Sequence, residues 1–216
     1  MDAEYERKWK SYFDPEVTDE EVFRNKLGIK NDRDLLEAEA KYCFNRLIEL
    51  YEKPIEGNFD KNHLRAIHRY LFQDVYDWAG EFRTVHMGKN HSSFSPVGEI
   101  EAALDADLAN LNEELFHVYG ADSLACLLAE YYVVLLNIHP FRDGNGRTVR
   151  EFLREFTEAK TKGWHQGEYT LDWTKVDSEE LSKLMPNGRT EKTLIENEFR
   201  KALSPISDEK NVDRSR

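Results

Sequence analysis

The sequence has little of what marks a secreted, membrane-spanning or nucleic-acid-binding protein. It has two cysteines, Cys43 and Cys126, which are too few and too far apart for a disulfide scaffold. This pattern is typical of buried thiols in a reducing compartment. The longest apolar run, residues 124–138, is shorter than the ~20 residues that a membrane helix needs. The N-terminus lacks the basic and apolar segments of a Sec signal. We therefore expect a cytoplasmic protein; export by a non-Sec route is an alternative that leaves no visible signal.

Positive charge is also scarce. The 30 Lys and Arg residues are outnumbered by 42 Asp and Glu residues, which gives a net charge of -12. A general nucleic-acid binder needs a basic surface to neutralise phosphates, so this balance argues against that class. A local basic cluster can still hold a small anionic ligand. The 216 residues, 40% of them hydrophobic, suit one globular domain with its own core.

Apolar residues recur at helical spacing along most of the chain, which predicts a mostly α-helical domain. The predicted helices cover residues 34–52, 62–78, 100–118, 124–138, 147–161, 177–184 and 191–203. The predicted apolar face of the first consists of Leu36, Ala40, Phe44, Leu47 and Leu50. The fourth is apolar almost all round, which predicts a buried central helix. A capping box of Thr18 and Glu21 predicts one further short helix near the N-terminus.

Glycine, serine and proline interrupt this pattern between residues 80 and 96. A β-prone piece at 82–87 within this stretch predicts a hairpin or flap between helices. We expect residues 1–34 to form an N-terminal extension that packs on the core and residues 35–203 to form the main domain. The polar residues 204–216 are expected to be a disordered tail.

Residues 139–150, with the sequence HPFRDGNGRTVR, combine features of a phosphate site. Gly144 and Gly146 allow the backbone to form a nest of N–H donors, and the helix that follows directs the positive end of its dipole at an anion. That helix should bury its apolar side chains, which are Val149, Phe152, Leu153 and Phe156. Its opposite face carries Arg147, Arg150 and Arg154. Together these features predict a cradle for a polyphosphate.

Asp143 and His139 add chemistry to this cradle. A carboxylate repels phosphates unless a divalent cation such as Mg²⁺ bridges the two. A histidine with a pKa near ~6.5 beside an activated phosphate is a suitable general base for an incoming hydroxyl. Taken alone, the histidine fits a helix cap, the Asp-Gly pair fits a turn, and the arginines fit a solvated surface. Together, the base, the carboxylate and the cradle predict nucleotidyl transfer. The spacing excludes a P-loop, which also follows a strand where this segment follows a helix.

The same segment resembles the signature H-x-F-x-[D/E]-G-N-G-R-x-x-R of Fic-domain proteins at every defined position. Residues 77–83 and 54–59 are similar to the family's flap entry and inter-helix connection. The resemblance implies an all-α, compact Fic-type helical bundle with a short β-hairpin flap over the active site. It also implies transfer of AMP from ATP to a Ser, Thr or Tyr hydroxyl of a target protein, with release of pyrophosphate.

The resemblance also implies a role for each residue of the motif. His139 is the catalytic base and Asp143 holds Mg²⁺. The ATP-binding residues are Gly144, Asn145, Gly146, Arg147 and Arg150. Among them, the backbone of residues 144–146 forms the anion hole and the Asn145 side chain reaches the α-phosphate. Arg147 binds the β-phosphate and Arg150 the γ-phosphate.

The flap is predicted to register the target. A hairpin edge offers unpaired backbone groups to which an extended segment of the target can add as a strand. The residues assigned to this edge are Val85, His86, Met87 and Gly88. A simple surface loop is the alternative.

Arg150 is also the predicted control point. Similar Fic enzymes are commonly inhibited by a helix with the motif [S/T]-x-x-x-E-[G/N], whose glutamate pairs with the second arginine of the signature. Residues 193–197 have one residue too few between Thr193 and Glu196, which leaves Glu196 a weak candidate. The sequence therefore favours inhibition in trans by a small antitoxin-like partner.

Two other functions stay open. A Doc-like kinase would transfer the γ-phosphate, but the complete second glycine and the pair Arg147 and Arg150 argue against it. A catalytically silent adaptor would bind nucleotide and peptide, but the presence of both His139 and Asp143 argues against silence. Neither a nucleic acid nor a membrane is expected as a partner.

Overall fold

The computed structural model of the chain describes residues 3–18, 21–89, 92–184 and 189–206. Most of them are helical, which confirms the predicted fold class. The helices are α1 (Ala3–Lys10), α2 (Asp32–Glu52), α3 (Lys61–Phe72), α4 (Ile100–Glu114), α5 (Gly120–Ile138), α6 (Asn145–Thr161), α7 (Ser178–Lys183) and α8 (Arg189–Ala202). Strand β1 (Gly88–Lys89) pairs antiparallel with β2 (Ser92–Ser93), and β3 (Tyr169–Leu171) pairs antiparallel with β4 (Leu203–Pro205).

Helix α5 lies at the centre of the bundle and contacts α4, α6 and α8. Leu124, Leu128 and Leu135 on this helix are fully buried, as its apolar sequence predicts. Within the described ranges, α5 is also the helix whose length and composition suit a membrane span. Half of that window is buried against the rest of the protein, which fits a core helix.

Helix α6 buries its predicted apolar face but not its predicted charged one. Val149, Phe152, Leu153 and Phe156 have no exposed surface. The prediction that Arg154 stands beside the ligand is wrong, because this residue is 3% exposed. It donates to Glu151 and to the Leu50 carbonyl and pairs with Glu158 at 2.8 Å. The end of α2 lies against Arg154 through the Leu50 carbonyl and the Tyr51 ring, so this arginine needs partners within the protein.

The predicted apolar face of α2 is wrong for most of its length. Leu36 and Phe44 are 56% and 63% exposed, and Ala40 is exposed as well. The buried face instead consists of Leu35, Glu39, Cys43 and Leu50. The buried face contains a carboxylate and a thiol, so hydrophobic periodicity does not identify it. Glu39 is buried because it forms an ion pair. As a result, α2 carries an exposed stripe of apolar side chains, which are Leu36, Phe44, Ile48 and Tyr51.

Other predicted boundaries also shift. Helix α3 ends at Phe72, short of the predicted residue 78, because the chain turns there and buries Val75 and Tyr76 in the core. The predicted strand at 82–87 is wrong: Phe82 forms one isolated bridge with Phe141, and β1 begins at Gly88. The predicted tail does not begin at 204, because β4 pairs with β3 through residue 205; residues 207–216 lie outside the described residues.

The described part of the N-terminal segment has no helix after Thr18, contrary to the capping-box prediction. Residues 21–31 contain neither helix nor strand, and residues 19 and 20 lie outside the described residues. Glu21, the predicted capping partner, accepts a hydrogen bond from Nε1 of Trp9 at 3.2 Å instead. Val22, in the same segment, is fully buried among the residues of the hydrophobic core.

Candidate active site

A cavity of about 410 Å³ lies where α5 ends and α6 begins. The predicted motif residues that line it are His139, Asp143, Gly144, Asn145, Gly146, Arg147 and Arg150. The remaining lining residues are Phe94, Tyr132, Leu136 and Ser178. The structure therefore brings all the motif residues assigned to catalysis, metal and ATP into one cavity.

His139 is held by its backbone at the end of α5. It adopts a left-handed conformation with φ of 50°, which is uncommon for a residue other than glycine. Its N–H donates to the Leu135 carbonyl at 3.1 Å, and its own carbonyl accepts from Nε of Arg83 at 2.7 Å. Its ring stacks on Phe94, with the centroids 3.8 Å apart and the planes 5° from parallel. Backbone and ring are thus both fixed at the cavity wall.

The start of α6 provides backbone N–H groups that could hold an anion. The first N–H groups of a helix have no acceptor within that helix. Here they belong to Asn145, Gly146 and Arg147, which all line the cavity. Gly144 precedes them with φ of 75°, and a Cβ at this position would lie 2.4 Å from the Phe72 ring. Only glycine fits this turn, so the sequence requires it there for both space and conformation.

The Asn145 side chain bonds within the loop, and its contact with the α-phosphate stays a prediction. Its Oδ1 accepts from the Phe141 N–H and its Nδ2 donates to the Phe141 carbonyl, both at 2.9 Å. The side chain is buried between these two bonds. Asn145 lines the cavity at the first position of α6.

Arg147 is anchored by a buried carboxylate that the sequence analysis missed. Its Nη2 lies 2.6 Å from Oε1 of Glu39, whose side chain is 4% exposed. Glu39 also accepts a hydrogen bond from the Tyr76 hydroxyl. The guanidinium lies over the Phe72 ring, 4.7 Å from its centroid. Because Glu39 is 108 positions away in sequence, no local pattern could have identified this pair.

Arg150, one turn further along α6, also lines the cavity and is half-buried. Burial raises the pKa of the Tyr132 hydroxyl, and Arg150 beside it opposes that rise. No carboxylate of the described residues forms an ion pair with Arg150, whereas Arg147 and Arg154 each have such a partner. Glu196, the weak inhibitory candidate, lies 3.9 Å from Arg200 on its own helix.

Arg83 is a second residue that the sequence analysis missed. It is 2% exposed and donates to backbone carbonyls of the motif loop and of both ends of the flap. The acceptors are the carbonyls of His139, Val85, Ile138 and Ser95. Burial lowers the pKa of Arg83. In sequence, Arg83 is the last residue of the segment 77–83 that resembles the family's flap entry, but nothing near it in the chain indicates which carbonyls it binds.

His68 is a third missed residue and braces the loop from α3. Its Nδ1 accepts from the Gly80 N–H at 2.8 Å, so Nε2 carries the proton that it donates to the Asp143 carbonyl at 3.0 Å. The ring stacks on Phe141 at 3.9 Å. Burial lowers the pKa of His68 to about 3, which keeps it neutral. Both ring nitrogens therefore hold backbone groups, and His68 positions the loop.

The predicted target-registering residues separate into two groups. Val85 is buried, and its carbonyl accepts from Arg83 at 2.8 Å. His86, Met87 and Gly88 line a groove that shares Phe94 with the active-site cavity. Their role toward a target stays a prediction.

Comparison with known proteins places this site in a family. Residues 58–157 match the model of the Fic/DOC family. Protein adenylyltransferase VbhT of Bartonella schoenbuchensis is 38% identical over 83% of this chain, which spans 36% of that relative's length. The probable protein adenylyltransferase y4lH of Sinorhizobium fredii is 33% identical, over 72% of this chain and 77% of the relative.

A solved structure confirms the fold. BepC of Bartonella tribocorum with bound AMPPNP superposes with a TM-score of 0.76 at 22% identity, covering 92% of this chain and 98% of that one. The predicted family and helical fold are thus confirmed, and the names of the relatives agree with the predicted activity. A motif complete at every defined position, seated in one cavity of this fold, shows that the chain belongs to the Fic/DOC family.

Proposed function

We propose that this chain is a protein adenylyltransferase that moves AMP from ATP to a Ser, Thr or Tyr hydroxyl of a target protein in the cytoplasm. One observation carries the proposal: His139 and the phosphate-binding start of α6 line the same cavity. A base and a polyphosphate cradle in one cavity are what nucleotidyl transfer to a hydroxyl requires. The names of the relatives support the same activity.

The reaction is a displacement at the α-phosphorus of ATP. The target oxygen forms a bond to this phosphorus, and the bond from the phosphorus to the bridging oxygen of the β-phosphate breaks, so pyrophosphate leaves. An imidazole nitrogen of His139 takes the hydroxyl proton as the new bond forms. The N–H groups at the start of α6, with Arg147 and Arg150, stabilise the negative charge of the phosphates and of the leaving group.

Asp143 is the residue that would hold Mg²⁺. Its side chain is 46% exposed beside the phosphate cradle, which fits an ion shared with phosphate oxygens. The described residues include no cluster of three or more His, Cys, Asp and Glu that could hold a metal by itself. Mg²⁺ suits such a site, because it commonly binds one or two carboxylates, water and substrate phosphates. When bound, the ion neutralises part of the polyphosphate charge.

The test is to incubate the purified chain and a cell lysate with ATP labelled at the α-phosphate or, separately, at the γ-phosphate. We expect protein labelling from α-labelled ATP alone, dependent on Mg²⁺. His139→Ala should abolish it, whereas His165→Ala, at an exposed histidine outside the cavity, should not. Label from the γ-phosphate alone would indicate a Doc-like kinase, and no label would indicate an adaptor.

We also propose that a small antitoxin-like partner controls the enzyme through Arg150. No carboxylate of the described residues pairs with Arg150, and Glu196 lies beside Arg200. The exposed apolar stripe of α2 suits a helical partner, and the same helix contacts Arg147 through Glu39. We expect the isolated chain to be active and Glu196→Gly to leave its rate unchanged. A rise in rate on this substitution would show inhibition in cis instead.

A further inference from the structure

A second cavity, of about 540 Å³, lies between α1 and the flap. We call it the flap groove. Its walls are mostly aromatic or apolar, and its lining residues are Tyr5, Trp9, His86, Met87, Gly88, Phe94 and Pro96. None of these described lining residues carries a permanent charge. The groove therefore favours an apolar occupant over a charged one.

The α1 wall of the groove is fixed to the rest of the protein. The Tyr5 hydroxyl donates to the His86 carbonyl at 3.3 Å, which ties α1 to the flap. Trp9 lies over the guanidinium of Arg142, 4.3 Å from the ring centroid. Arg142 belongs to the motif loop and is 8% exposed. The groove thus lies between α1 and the flap, and contacts with the flap and the motif loop hold α1 in place.

The flap groove and the active-site cavity share one wall. Phe94 lines both, and its ring stacks on His139 at 3.8 Å. The distance between the catalytic base and the groove is therefore about the width of one aromatic ring. Because an extended chain advances about 3.4 Å per residue, a residue seated in the groove lies roughly one or two residues from the acceptor hydroxyl.

We propose that the flap groove is a specificity pocket for a bulky apolar side chain that flanks the modified residue of the target protein. The occupant is an extended segment of that target. Gly88, in the short strand β1, lines the groove and leaves room for such a segment to approach the strand's backbone. This inference rests on the proposed function, because the acceptor hydroxyl must reach His139.

The experiment measures binding separately from catalysis. Arrays of immobilised peptides carry a central Tyr, Ser or Thr, with every amino acid substituted in turn at each of the three positions on either side. Binding of the labelled full chain is recorded without nucleotide, and the same arrays are then incubated with α-labelled ATP and Mg²⁺. The variants are Tyr5→Ala, which opens one wall, and His86→Asp, which adds a charge at an exposed lining residue. Tyr119→Ala, at an exposed tyrosine outside the groove, is the matched control.

We expect one flanking position at which Leu, Met or Phe binds roughly tenfold more tightly than Gly or Asp, the order of magnitude that burial of one large apolar side chain supplies. Tyr5→Ala and His86→Asp should each reduce that ratio at least several-fold, and Tyr119→Ala should preserve it. Binding without an apolar preference, a preference that survives both groove variants, or no binding above background overturns the inference. If no peptide is labelled by α-labelled ATP, the proposed function is overturned. The nucleotide-free binding data still decide whether the groove prefers an apolar side chain.

Discussion

Gly144 offers the sharpest test of how the phosphate-binding turn is built. An alanine at this position meets two separate costs. The first is conformational, because φ of 75° costs an L-residue about 1–2 kcal/mol. The second is steric, because the new Cβ would lie 2.4 Å from Cε2 and from Cζ of Phe72.

The Phe72 ring has little room to move away. It is 1% exposed, and it packs 4.8 Å from the His68 ring and 4.7 Å from the Arg147 guanidinium. Overpacking of this kind costs about 1–3 kcal/mol, so we expect Gly144→Ala to lower the free energy of unfolding by about 2–5 kcal/mol in total. Any shift of the turn that relieves the contact moves the N–H groups of α6, so AMP transfer should fall as well.

The assay is urea unfolding followed by tryptophan fluorescence, with α-phosphate labelling in parallel. Gly163 provides the control for conformation, because its φ is 76° and a Cβ there would have no atom within 4 Å. Gly163→Ala should therefore cost about 1–2 kcal/mol. The difference between the two variants isolates the contact with Phe72.

A double-mutant cycle completes the test. Phe72→Leu shortens the ring, so it should cost less in the Gly144→Ala background than in the wild type, with a coupling energy of about 1–3 kcal/mol. The reasoning is refuted if Gly144→Ala destabilises the protein no more than Gly163→Ala. It is also refuted if Phe72→Leu costs the same in both backgrounds.

Three further predictions concern residues whose structural role could not be assigned from the sequence. Arg83→Lys should lower the free energy of urea unfolding by about 2–5 kcal/mol, because one ammonium cannot serve all the buried carbonyls that the guanidinium serves; a loss below 1 kcal/mol would contradict this. Glu39→Gln should lower the melting temperature of the nucleotide-free protein and leave ATP affinity unchanged or higher, because phosphate replaces the lost counter-charge of Arg147; a tenfold weaker Kd would show that Glu39 instead orients the arginine for ATP. Phe94→Ala should lower kcat for target labelling roughly tenfold with KM for ATP within threefold, because His139 loses its stacked ring; an unchanged kcat would contradict that positioning role.

The sequence predicts best where the structure depends on neighbouring residues along the chain. Helix α6 shows this, since the spacing of Val149, Phe152 and Phe156 identifies its buried face without any tertiary knowledge. The motif cavity could be predicted for the same reason, because its residues occupy one loop and one helix start. Glycines at fixed places in such a loop indicate a positive φ or a close approach of the backbone.

Prediction from the sequence failed where the burial of a charged side chain depends on its ion-pair partners. By sequence alone, Glu39 belongs to the solvent face of α2, but its contacts with Arg147 and Tyr76 bury it. Arg154 continues the helical spacing of Arg147 and Arg150, which line the cavity, yet Glu151 and Glu158 hold it inside the protein. Hydrophobic periodicity treats every charged residue as exposed, so buried ion pairs invert the predicted face.

The surroundings of Arg142 bear on how the chain can be divided. Its guanidinium lies 4.3–5.4 Å from the ring centroids of Trp9, Tyr12, Phe13 and Phe23, all within the first 34 residues. A fragment trimmed to start at residue 35 would lose every one of these rings and leave a bare cation beside Asp143. The N-terminal segment therefore supports the motif loop. A fragment limited to residues 58–157, which match the family model, would lack this support.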